Sequence, residues 1–124
     1  MSFNKWSHEF KEMKLEADFV SRKAEALFLR SEKAFASADF ESKNDLEQNR
    51  IFEARRSIGA VHQNIARHLA KALDLDRQDY PLHKRKENIR LAGKGLDAIE
   101  HAVIEFEALL KQEPLLFLRF SKAG

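Results

Sequence analysis

The stretch FNKWSHEFKEMKLEADFVSRKAEALFLRSEKAFASA, residues Phe3 to Ala38, decides the fold. Within it Phe3, Trp6, Phe10, Met13, Ala17, Val20, Ala24, Leu27, Ser31, Ala34 and Ala38 alternate steps of three and four residues. Such a seam, free of glycine and proline, predicts one long helix whose stripe must be covered by other helices. Two later segments repeat the pattern. One runs through Ile51, Ala54, Ile58, Val61, Ile65, His68, Ala72 and Leu75, widened by Phe52, Ala66, Leu69 and Leu73. The other runs through Leu82, Arg85, Ile89, Ala92, Leu96, Ile99, Val103, Phe106 and Leu110, flanked by Ala102 and Leu109. Stripes this wide suit a bundle better than a bare coiled-coil seam.

The expectation is an all-α antiparallel bundle of three long helices, over about residues 3–37, 44–74 and 81–113, forming one domain from 1 to 113. Residues 114–124 make a short apolar C-terminal tail. Dimerisation could complete the core, because the small seam residues Ala17, Ala24, Ser31, Ala34 and Ala38 let another helix come close. Asp74 to Tyr80, followed by Pro81, marks a firm break. The segment Ser37 to Asp45 is polar and contains Ser37 and Asp39 as N-cap candidates, yet no strong breaker, so a turn and a continuous helix both remain open there. Folding the last two helices about residue 78 sets Gly59 opposite the region of Gly93, Gly95 and Ala98, which suggests close backbone approach at that level.

Composition narrows the function classes. The 124 residues are 44% hydrophobic and 34% charged, enough apolar material for one core, with 22 basic against 20 acidic side chains. That near balance does not demand a polyanionic partner. The absence of cysteine removes disulfides, thiolate metal sites and cysteine nucleophiles. There is no signal-peptide h-region, and no apolar run approaches the roughly 18 residues needed to span a bilayer, so a cytoplasmic protein without a membrane partner is expected. His8, His62, His68, His83 and His101 show none of the paired Glu-x-x-His spacing of carboxylate metal bundles, and neither a metal nor a cofactor is implied. His68, on a seam, reads as a hydrogen-bonded core histidine.

Two clusters carry the functional expectations. His83, Lys84, Arg85, Lys86, Arg90 and Lys94 begin the third helix, where cations oppose the helix dipole, and Arg67 and Lys71 come to the same end of the bundle. Arg67, Lys71, Lys84, Arg85, Lys86 and Arg90 are therefore candidates for binding nucleic acid or another anion, unless Glu9, Glu12, Asp74, Asp76 and Glu87 pair with them. The second cluster is apolar. Phe28, Phe35 and Phe40, with Leu115, Leu116, Phe117 and Phe120 of the tail, are large groups off or beyond the main seams and are the candidates for a protein interface. The leading expectation is a non-enzymatic adaptor, regulator or chaperone-like module that binds a protein partner or a second copy of itself.

Arg56-Ser57-Ile58-Gly59-Ala60-Val61-His62 places an arginine six residues before a histidine on a predicted helix. It resembles the arginine-to-histidine motif of HEPN domains, small all-helical proteins of which many are metal-independent, dimeric ribonucleases. The resemblance covers seven residues, and Ser57 stands where asparagine is usual. It implies that His62 would act on the 2′-hydroxyl or leaving group and Arg56 would stabilise phosphate charge. This supplies the alternative expectation, a nucleic-acid-binding or RNA-cleaving bundle.

Overall fold

The computed structural model describes residues 2–111, with side chains from His8 onward. Three helices, α1 (Ser2–Ser37), α2 (Asp45–Leu73) and α3 (Leu82–Lys111), pack against one another as an all-α bundle. Leu115, Leu116, Phe117, Phe120 and the rest of the tail lie outside the described residues, as do the side chains of Phe3 and Trp6. Among the described residues no helix is long and apolar enough to cross a membrane.

The seams form the core. Met13, Ala17, Val20, Ala24, Leu27 and Ser31 of α1 are buried, and so are Ile51, Ile58, Ile65, Leu69 and Ala72 of α2 and Ile89, Ala92, Ile99, Val103 and Phe106 of α3. Ser31 is tolerated on the seam because its hydroxyl donates to the Phe28 carbonyl at 2.6 Å, so burial leaves its donor satisfied.

The first break is a turn, not a continuous helix. A single 3₁₀ turn spans Phe40–Ser42, and α2 starts at Asn44 through a capping box. The Asn44 side chain accepts from the Glu47 amide at 2.8 Å, while the Glu47 carboxylate accepts from the Asn44 amide at 3.3 Å. The cap is therefore Asn44, neither Ser37 nor Asp39; the Asp39 side chain makes no capping hydrogen bond. At the second break the Pro81 carbonyl accepts from the amides of Lys84 and Arg85, opening α3.

The glycines correct the expected register. Gly95 alone marks close approach: a Cβ there would lie 2.7 Å from Cγ1 of Ile65 on α2. At Gly59 and Gly93 an added Cβ would meet nothing within 4 Å. Gly59 lines a cleft between α1 and α2 instead of the α2–α3 contact.

Candidate functional site

The end of the bundle near the second break is tied by a buried polar network built on Arg85. This side chain is fully buried, and its guanidinium donates to three backbone carbonyls: Ala72 at 3.1 Å, Tyr80 at 3.1 Å and Arg77 at 2.5 Å. Its planar fork suits that task, satisfying the Ala72 carbonyl in the last turn of α2 together with the Arg77 and Tyr80 carbonyls of the connection. Asn88 sits one turn further on. Its amide nitrogen donates to the Tyr80 hydroxyl at 2.7 Å and the Lys84 carbonyl at 3.0 Å, and its oxygen lies 2.9 Å from Nδ1 of His68. With the Asn88 oxygen as acceptor, Nδ1 of His68 is the donor. His68 is thus the hydrogen-bonded core histidine its seam position suggested.

That geometry separates the expected anion-binding residues. Arg85 is spent inside the fold and offers no surface to a phosphate, because its place on the α3 seam buries it. Lys86 reaches Glu9 on α1 at 3.1 Å, and Arg90 forms a two-pronged pair with Glu87 that raises the arginine pKa and lowers the glutamate's, chiefly through hydrogen bonding. Arg67, Lys71 and Lys84 are exposed and carry no ion pair among the described residues. No group of three or more His, Asp or Glu side chains among the described residues could hold a metal ion.

The aromatic candidates behave otherwise, because α1 and α2 bring them together. Phe28 and Phe35 lie seven residues apart on α1, and Phe52 and Gly59 have the same spacing on α2, so each pair projects from the flank of its seam toward the other helix. The Phe35 ring contacts Phe40 at 5.4 Å between centroids, and Phe40 meets Phe52 edge-on at 4.9 Å. At the other end His62 stacks on Phe28 at 4.6 Å. Between them Arg55 makes a bidentate pair with Glu32 across the helices, at 2.8 and 3.1 Å, with its guanidinium 4.1 Å from the Phe35 ring centre. The Glu32 hydrogen bond raises the Arg55 pKa.

What remains is an open cleft of about 340 Å³ lined by Phe28, Glu32, Phe52, Arg55, Arg56 and Gly59. Gly59 contributes the space, since a side chain there would occupy it. Phe52 is 46% exposed and Leu46, near the start of α2, is 56% exposed. The cleft is at the small end of ligand sites and open to solvent, a size for one or two inserted side chains rather than an enclosed cofactor. Leu15 and Phe19 are also exposed, over a shallow surface made by α1 alone.

Arg56 and His62 border this region with separate partners. Arg56 is exposed 3.7 Å from Glu53, while His62 is held against Phe28. Phe52 and Gly59 were not expected to belong to the site; the shared seven-residue spacing on two facing flanks is the signal that marks them. Comparison of the chain with protein-family models, with curated proteins and with solved structures finds no match.

Proposed function

We propose that the protein is a non-enzymatic interaction module that receives apolar side chains of a protein partner in the cleft between α1 and α2. The observation that carries this reading is the cleft that Phe28 and the exposed Phe52 line on either side of the gap left by Gly59, with the Arg55–Glu32 pair at its edge and the partly buried Phe40 and Phe35 continuing the aromatic contacts from Phe52. A groove with apolar walls and charged rims suits the anchors of an amphipathic helix or an extended apolar segment. RNA cleavage has less support, because Arg56 and His62 are engaged by Glu53 and Phe28 instead of converging on one reacting position. A cysteine-free sequence fits work in a reducing cytoplasm.

Peptide-display selection against the full chain tests this. Enriched peptides should carry apolar residues spaced by three or four positions and bind with micromolar affinity. They should lose at least tenfold to Gly59→Trp, whose helical circular dichroism stays that of the wild type. Peptides that bind wild type and Gly59→Trp equally would sink the cleft as the docking site.

A further inference from the structure

We infer that the protein pairs with a second copy of itself through the outward face of α1, the two helices lying antiparallel about Leu15 and Phe19. The inference goes beyond the cleft reading and does not depend on it, because the cleft residues of α1, Phe28 and Glu32, stand on another flank of that helix.

The starting observation is a second stripe on α1. The first stripe, from Met13 to Ser31, is buried in the chain's own core, so the small residues Ala17, Ala24 and Ser31 are not open to another copy. Leu15, Phe19, Arg22, Ala26 and Leu29 also step by four and three residues, on the side of the helix turned away from that core. All of them are exposed, with Leu15 at 71% and Phe19 at 61%. Together with Asp18, Arg22 and Lys23 these two make a shallow surface to which neither α2 nor α3 contributes. The outer face of a bundle helix is ordinarily polar, and here it carries a leucine and a phenylalanine one turn apart.

The pattern around them points to what covers it. Glu12, Leu15, Phe19 and Arg22 are spaced by three, four and three residues, which reads the same in both directions, with an apolar pair inside and opposite charges at the ends. A copy running the other way therefore sets Leu15 on Phe19 and Glu12 on Arg22, each pairing occurring twice. Such self-complementarity under a two-fold rotation is what an isologous interface requires. On one flank the same register places Lys11 opposite Glu25, again twice. Lys11, Arg22 and Glu25 make no ion pair among the described residues, and Glu12 has only the exposed His8 at 3.5 Å.

Other arrangements fit less well. A parallel pair would set Glu12 on Glu12 and Arg22 on Arg22, and like charges so placed are unfavourable. Slid to set Leu15 on Ala26, the antiparallel helices put Phe19 on Arg22 and Asp18 beside Glu25, which loses the apolar pair. Slid further to set Phe19 on Leu29, they put Leu15 on Lys33 and Lys23 beside Lys23. Charge and apolar pairing thus select one orientation and one register.

The same rotation limits the strength of the contact. It brings the two Asp18 carboxylates together on one flank and the two Glu16 carboxylates on the other. Lys14 and Arg22 stand one turn to either side of Asp18, and Glu16 shares a groove with Lys86 and Arg90 of α3, so the repulsion is damped without being removed. The helix pair from His8 to Ala26 is about 27 Å long and about 10 Å wide, below the roughly 800 Å² per partner of a standard interface. Micromolar association is the result expected.

Sedimentation equilibrium of the full chain, from micromolar to near-millimolar concentration, tests this. A reversible monomer and dimer equilibrium is expected. Phe19→Glu should weaken it at least tenfold, with helical circular dichroism unchanged because the side chain is exposed. Glu12→Arg and Arg22→Glu should each weaken it at least threefold alone, since either one opposes like charges at both ends of the contact. An equimolar mixture of those two variants should return to within twofold of the wild-type affinity. Asp18→Asn should tighten the dimer at least twofold, a gain that no loss of structure produces. A chain that stays monomeric at every concentration overturns the proposal and leaves the stripe to a different partner. A dimer indifferent to Phe19→Glu overturns it by placing the contact elsewhere, and a mixture that fails to recover overturns the antiparallel pairing.

Discussion

Gly95 and Gly59 are both helical glycines facing another helix, and they do opposite things. At Gly95 the missing side chain lets α3 close onto Ile65 of α2, whereas at Gly59 it leaves the space open between α2 and α1. The two interfaces differ accordingly. The α2–α3 contact is tight and is closed at one end by the buried Arg85 and Asn88 network. The connections from α1 include bidentate ion pairs at the rim, Arg55–Glu32 and Arg30–Glu107, together with the Lys86–Glu9 pair. One face is built to stay shut, and the other retains a cleft. A molecule that needs both a fixed frame and an accessible groove can obtain them from one bundle by placing its glycines on different faces.

The largest test of this contrast is at Arg85. Arg85→Ala leaves three backbone carbonyls in the α2–α3 region without their donor, and burial of such groups costs about 1–3 kcal/mol each. A loss on the order of 3–5 kcal/mol is expected, a large part of the ~5–15 kcal/mol available to a domain. Urea denaturation reads it directly. Arg85→Lys should recover less than half, because one ammonium cannot serve the same fork; full recovery would mean the charge alone matters.

The glycines give the next effect, and its sign is what counts. Gly59→Ala should stabilise the protein by about 1 kcal/mol, the ordinary gain of alanine over glycine inside a helix. Gly95→Ala earns the same gain but drives a Cβ into Ile65, a strain of about 1–3 kcal/mol, for a net loss of about 1 kcal/mol. Thermal midpoints moving in the same direction for both variants would erase the distinction between the tight and open faces.

The smallest effect concerns acid. Hydrogen bonding to Arg30 holds the Glu107 carboxylate below its usual range. A depressed folded-state pKa contributes stability that is present above the unfolded value, near 4.3, and is lost as pH falls through the folded one. Glu107→Gln should therefore lower the neutral thermal midpoint slightly and flatten the decline below about pH 4.3 by the same small amount, since the pair is partly solvent-screened. An acid limb identical to the wild type would show that this pair does not help fasten α1 to α3.

Most of the core was legible because burial follows periodicity. The buried residues of α1 from Met13 to Ser31 are seam positions, and even Arg85 stood in the α3 series before its role was visible. Its identity as an arginine, however, invited a surface reading. Only the fold brings the Ala72, Arg77 and Tyr80 carbonyls around it, and no local pattern announces that. The glycine register failed for a related reason. Reflecting helices about a turn estimates the level of a residue along the bundle but not its azimuth, and Gly59 points to α1 while Gly95 meets α2. The break before α2 was ambiguous by composition, yet Asn44 and Glu47 have capping-box spacing, a signal in the sequence that outranks the more scattered Ser37 and Asp39. Of the aromatic site, Phe28, Phe35 and Phe40 could be named from their position off the seams; Phe52 could not be separated from ordinary stripe-widening residues.

The Arg85 clamp also imposes an order of events. A chain synthesised from its N-terminus presents all of α1 and α2 before the residue that caps the end of α2 exists, since Arg85 follows Ala72 by 13 positions. Until those residues have been added, the Ala72 carbonyl near the end of α2 lacks the donor it has in the finished fold. The second helix therefore acquires its finished end only once the third has begun.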